Sequence, residues 1–311
     1  MENINLYWPV YKNLEKEVLE LSYHIHFSDN QLEVFSVQIA ELLIRCAVEI
    51  ESLSKSLYQN EGGNMEPVDA SGNVRYLNYD FDCLKMLDQL WKLGKKQIVL
   101  AAPSMYFKEE ENKVFTPLKN AHKGDVIWQK AYQAVKHSRV EKLHEATVRA
   151  LLRAMAALYL LNLYNQNDVF EIGTVEDNGK SFNPSLQSDI FSVKYKLLSN
   201  FPYRGNELDD LSDITYVGIF IQTSYKELEE EYKIMNKKVA DYALAKIMKN
   251  PKTLVDSATS KLKDVWSIAF DKSDNSGAHI PGLAGSFGKK LLSAKLKAVL
   301  NKNQELKSES S

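Results

Sequence analysis

The chain has 311 residues, enough for about two domains or for one helical domain with insertions. Its 44% hydrophobic and 26% charged residues exclude collagen-like and wholly disordered chains. Lys and Arg total 39 against 41 Asp and Glu, a net charge of −2, so affinity for nucleic acid or membrane has to come from local patches. Cys46 and Cys83 are the only cysteines, too few for a disulfide framework or a Cys-ligated structural zinc. That usage fits a reducing compartment, and a cytoplasmic location is expected.

The first eleven residues lack the basic region and long apolar run of an export signal, so none is expected. His24 and His26 share one face if extended, yet no matching Cys, His or acid cluster stands nearby, and no metal site is expected from them. From 29 to 58, Leu32, Phe35, Ile39, Leu42, Leu43, Cys46, Ile50, Leu53 and Leu57 recur at three- and four-residue steps. This predicts a long amphipathic helix, capped by Ser28 with Gln31 and ended by Gly62 and Gly63. Residues 60–78 read as loop. A second helix is predicted over 79–93, stopping at Gly94, with short β stretches near 98–101 and 113–115.

Two linked helices are predicted next, over 125–137 and over 143–164, with a capping-box spacing, Ser138 to Glu141, starting a new helix between them. The apolar stretch 154–164 contains Asn162 and borders Arg153, so it reads as a buried core helix, too short to span a membrane. Beyond it, Phe191, Val193, Tyr195 and Leu197 alternate with polar residues, and 214–223 is rich in β-branched and aromatic types, predicting a small β element. Helix returns over 224–249 and breaks at Asn250 and Pro251. The acidic run 207–213 lacks the ligand spacing of a calcium loop. Gly282, Gly285 and Gly288 before Lys289 have the wrong spacing for a phosphate loop, and no Ser or Thr follows Lys289. The segment 279–303 has Lys289, Lys290, Lys295, Lys297 and Lys302 among apolar residues and no acid. It reads as a basic amphipathic helix, either docking its apolar side on the body with the lysines in water or contacting a membrane, a nucleic-acid backbone or a partner groove. The end, 302–311, is expected to fray.

Within 129–153 there are six Lys or Arg against two Glu, a local excess of four positive charges in a near-neutral chain. Lys136, His137, Arg139, Lys142 and His144 are its densest part. A helix starting near Ser138 would add free N–H groups and the positive end of its dipole, so that Arg139 and His144 converge on one phosphate. Imidazole moves protons near neutral pH, and a guanidinium stabilises charge on phosphoryl oxygens. Glu41, Arg45 and Glu49 form a polar stripe at four-residue steps on the long helix, from which a carboxylate, Glu49 included, can orient Arg139 or His144.

Arg139 and His144, separated by four residues at a helix junction, resemble the Arg-x4–6-His motif of the HEPN superfamily. The resemblance covers about the first half of the chain. It implies a HEPN-like helical bundle over 1–170; with the elements read above, the expected fold is mainly α, with a small β insertion over 171–225 and C-terminal helices with the basic tail over 226–311. It also implies a metal-independent ribonuclease of toxin–antitoxin or phage-defence type that needs no cofactor. Such a protein works as a homodimer on RNA, with an antitoxin or defence-system partner. By the same resemblance, His144 is the acid/base on a ribose 2′-hydroxyl and Arg139 stabilises the cleaved phosphate, with Lys136 and His137 as further phosphate contacts and Lys142 beside them. The residue after the family's arginine is usually polar, whereas here it is Val140. Some members of the family are catalytically silent binding or scaffold modules, so a non-catalytic regulatory protein is the alternative.

Overall fold

A computed structural model describes residues 6–202, 207–256, 260–269 and 279–303, with the backbone alone at 279–284. Residues 1–5, part of the segment read as free of an export signal, and 304–311, most of the end expected to fray, lie outside the described residues. The chain is mainly helical with small sheets, built around one fully enclosed helix.

Helix α1 (Tyr7–His24) carries Pro9 in its first turn, where no intrahelical N–H is lost, and buries Tyr11, Leu14, Val18 and Leu21. The sequence reading gave this segment no helix. Helix α2 (Val37–Asn60) begins eight residues later than predicted. Its cap is Ser36, whose hydroxyl accepts from Ile39 N at 3.1 Å. Residues 32–36 are pulled out of the helix, because Leu32 and Val34 accept from the backbone N–H groups of Arg149 and Val148, both at 2.9 Å, and Phe35 bridges Thr147. Ser28 and Gln31 flank only a single 3₁₀ turn, Asp29–Gln31.

A π-helical turn, Tyr79–Leu84, leads into α3 (Lys85–Trp91), which ends where Lys92 turns left-handed at φ 56° and Gly94 N donates to Asp88 at 2.6 Å. Strands β1 (Ile98–Leu100) and β2 (Val114–Phe115) pair antiparallel as the sequence suggests. Helix α4 (Ile127–His137), the single turn α5 (Arg139–Lys142) and helix α6 (Val148–Gln166) follow. Strand β3 (Phe170–Thr174) comes next. The alternating run after it splits into two strands in different sheets: β4 (Phe191–Val193) pairs with β1, and β5 (Tyr195–Leu197) runs parallel to β6 (Tyr216–Phe220).

Helices α7 (Gln222–Lys249) and α8 (Val265–Ala269) form a smaller cluster around Met235, Val239 and Ile268, and a two-stranded ribbon of β7 (Val255–Asp256) and β8 (Lys261–Leu262) lies between them in the chain. Helix α9 (His279–Ser293) then hands over to β9 (Lys295–Leu300).

The last strand corrects the single basic helix expected over 279–303. β9 lies inside the sheet β3-β9-β6-β5, paired antiparallel with β3 and β6. Its alternation settles the form: Leu296, Ala298 and Leu300 are buried while Lys295 and Lys297 point away. These hydrogen bonds run across both boundaries expected at 170 and 225, and one continuous core includes residues from Tyr11 to Leu300.

Lys96, just before β1, is fully buried, and its ammonium meets one acceptor, Ile214 O, at 3.0 Å. Burial lowers its pKa from 10.5 to about 7, against a smaller pull upward from Asp213. The unfolded chain therefore binds more protons than the native one between about pH 7 and 10.5, so stability rises with pH through that window and levels off below it. Ile214 O also accepts from Asn301 Nδ2 at 3.1 Å and keeps a partner without Lys96. Lys96→Met should stabilise the fold at neutral pH by about 1–3 kcal/mol and flatten the alkaline rise. Urea denaturation as a function of pH checks both.

Candidate functional site

Of the basic residues singled out above, Lys136 and His137 end α4, and Arg139, Lys142 and His144 lie on the connection between α4 and α6. Ser138, the expected cap of a long helix, has φ −148° and ψ 66°, and its hydroxyl donates to Glu141 Oε2 at 3.1 Å, so it accepts from no backbone N–H. The result is the four-residue α5, then a 3₁₀ turn, Leu143–Glu145. The helix expected from 143 begins at Val148, capped by Thr147, whose hydroxyl accepts from Ala150 N at 3.2 Å. The expected helix dipole at Ser138 is thereby reduced to that of one turn, because few peptide units align there.

Arg139 is half exposed, with Nη1 4.0 Å from Glu41 Oε1 near the start of α2. The His144 side chain is 55% exposed; its Nε2 stands 3.6 Å from Glu145 Oε1, and its ring meets Phe35 edge-on at 6.4 Å. The two predicted residues thus flank the same feature, the N-terminal end of α2. Val140, between them in sequence, is 97% exposed. The Lys136 ammonium lies 5.3 Å from the Tyr132 ring centroid, while the His137 and Lys142 side chains are exposed and have no ionic or hydrogen-bonding partner among the described residues.

The rest of the basic island is engaged elsewhere. Lys130 pairs with Asp125 at 2.5 Å, and Arg149 binds Glu33 at 2.7 Å and Asn112 at 3.2 Å. Arg153 lies over the Phe115 ring at 5.2 Å, its pKa lowered by burial and then by Arg149. The cations left on the surface here are Lys136 at the end of α4 and Arg139 and Lys142 on the connection.

Glu49 does not join them. It lies eight residues beyond Glu41 on α2, about 12 Å along the axis. It is half-buried, with its pKa raised by burial and pulled back by Arg45. Arg45 itself reaches across to Glu17 of α1 at 2.7 Å. The carboxylate near Arg139 is Glu41, which the stripe contained but the sequence could not single out. His26 stacks on Tyr106 at 4.7 Å, and no metal-holding group of three or more His, Cys, Asp or Glu occurs among the described residues. Also among the described residues, no helix is long and apolar enough to cross a membrane.

No protein-family profile, curated protein or solved structure matches the chain.

Because Arg139 and His144 are exposed and tied only by long ionic contacts, they contribute little to folding. The double variant Arg139→Ala/His144→Ala should keep its urea midpoint, with a stability change within about 0.5 kcal/mol.

Proposed function

We propose that the protein is a HEPN-like, metal-independent endoribonuclease of the bacterial toxin or phage-defence kind, acting inside the cell as a homodimer with Arg139 and His144 as its catalytic pair. The observation that supports this reading is that both side chains stand exposed on one short connection and both flank the start of α2.

In this reading an RNA phosphate sits over the connection, held by Arg139 with Lys136 and Lys142 extending the positive field. Neutral His144 takes the proton of the adjacent ribose 2′-hydroxyl, whose oxygen attacks phosphorus. The bond from phosphorus to the 5′-oxygen breaks, and that oxygen takes a proton from water. The products are a 2′,3′-cyclic phosphate and a 5′-hydroxyl end. Arg139 stabilises the charge that gathers on the non-bridging oxygens. Glu41 keeps the guanidinium near α2 until phosphate displaces it. The chemistry needs no cofactor, because imidazole and guanidinium supply the proton transfer and the charge. An antitoxin or defence-system partner would act by covering this face.

One observation favours a second reading. Arg139 and His144 each lie beside a different acid, Glu41 and Glu145, an arrangement suited to a surface that binds RNA or a partner without cleaving.

Incubating the full chain with single-stranded RNA in the presence of EDTA tests the first reading. Wild type should produce cyclic-phosphate ends, and His144→Ala and Arg139→Ala should each lose about 100-fold or more in rate. Cleavage that survives both substitutions removes the assignment, and RNA binding without cleavage by wild type supports the second reading.

A further inference from the structure

The end of α6, β3, β6 and residues 181–187 enclose a cleft of about 190 Å³. Its floor is aromatic. The ring centroid of Phe182 lies 6.0 Å from that of Phe170 and 5.5 Å from that of Tyr216, and Phe182 stacks on Tyr195 at 4.5 Å.

The charge lining the cleft has one sign, because Asp168 and Glu171 border it and no Lys or Arg does. Glu171 faces Lys297 across the β3–β9 register. Asp168 has no ion-pair partner among the described residues. Tyr216 donates to the Asp168 carbonyl at 3.4 Å, and its phenol is held well above its usual pKa by burial, with the Asp168 charge adding to the shift. Gln166 and Gln187 add neutral amide groups, whereas the Asn183 side-chain oxygen is already taken by Ser185 N at 3.1 Å.

The rim is held in strained backbone. Leu186 and Gln187 are consecutive non-glycine residues at φ 46° and 69°. Lys12 clamps the Gln187 carbonyl at 2.8 Å, and Leu186 N donates to Asn183 O at 3.2 Å. Such conformations persist where surrounding contacts over-determine them, and they cluster at ligand-binding positions.

We propose that this cleft binds a small guanidinium-bearing molecule. A guanidinium is planar and weakly hydrated, so it can lie against the aromatic surface that Phe170 and Phe182 present to the cleft, with Tyr216 packed beneath them. It offers only N–H donors, in a fork that a carboxylate accepts in pairs, which matches Asp168 with Gln166 and Gln187 beside it. A phosphorylated ligand would meet carboxylates, and a quaternary ammonium would leave these acceptors unpaired. The volume holds the planar head with a short alkyl arm and is too small for a drug-sized ligand.

Calorimetric titration of the full chain with N-butylguanidinium and with N-butylurea, its neutral near-isostere, tests the site. The guanidinium should bind with a Kd of about 1 mM or tighter, and the urea at least about tenfold more weakly. Asp168→Asn should weaken the guanidinium at least about tenfold while leaving the urea and Tm unchanged, since Asp168 is exposed. Phe182→Leu should weaken both probes. Equal affinity for the two probes, unchanged guanidinium affinity in Asp168→Asn, or no binding of the guanidinium at tens of millimolar would overturn the proposal. Acetyl-arginine amide, run in parallel, should bind more weakly than butylguanidinium; tighter binding would assign the cleft to peptide arginines and overturn the small-molecule assignment.

Discussion

The fold depends on enclosing α6. Fifteen of its 19 residues are buried, so no side of it is left to water. A helix apolar all round needs neighbours on every face, and α1, α2 and α4 supply only part of that cover. The remainder comes from the sheets, which is why residues 295–301 are held as part of the body. Tyr159 and Tyr164, buried on α6, each need an acceptor for the hydroxyl. They find it outside the helices, at Ser185 O and at Asn301 O just beyond β9, both at 2.9 Å. Enclosing the helix and satisfying its polar atoms therefore select the same arrangement.

The same demand explains a buried carboxylate that at first looks costly. Glu15 of α1 is 1% exposed, yet it accepts from Tyr11 OH at 2.8 Å, Asp189 N at 3.0 Å and Ile190 N at 3.2 Å, with Lys12 and Ser188 also on it. A charge so placed is tolerable only because its lone pairs are filled. In return it ties α1 to the backbone that enters β4. Ser188, bonded to Glu15, also accepts from Phe191 N at 2.9 Å, so the turn is pinned from both sides. That anchorage is what allows Leu186 and Gln187, immediately before it, to stay in strained geometry.

Local patterns were legible where a face is read by one neighbour. The spacings on α2, α4 and α7 show through the sequence because each has a buried side and a wet one. α1 carries an equally helical set, Tyr11, Leu14, Val18 and Leu21, which Pro9 and the surrounding charges obscure. The start of α2 was misread because Leu32 and Phe35 keep the helical spacing while their backbone pairs with residues 147–149, a contact more than 100 positions away. β9 was misread for a related reason. Lys, Ala and Leu favour helix, and only pairing with β3 and β6 turns their alternation into a strand. Glu41 and Glu49 belong to one polar stripe, stepped by four residues on the helical wheel. The approach of the 138–147 connection to one end of α2 distinguishes them, and no local signal encodes it.

These non-local decisions also sort the two basic islands that the sequence contains. The second is absorbed into the structure: Lys290 pairs with Glu231, Lys302 lies over Trp91 at 5.1 Å, and Lys295 and Lys297 belong to a paired strand. Its charges serve a sheet, so the apolar partners that would have made it a free amphipathic surface are spent inside the core. The first island has the opposite fate. Burying α6 from Val148 onward and pairing residues 32–35 with its start forces the 138–147 connection outward. Its Ala146 and the capping Thr147 turn in, while Arg139, Lys142 and His144 remain at the surface beside Lys136 and His137 of the last turn of α4. The connection and the end of α4 therefore present concentrated, accessible positive charge together with an imidazole and a guanidinium, the groups on which the proposed cleavage rests.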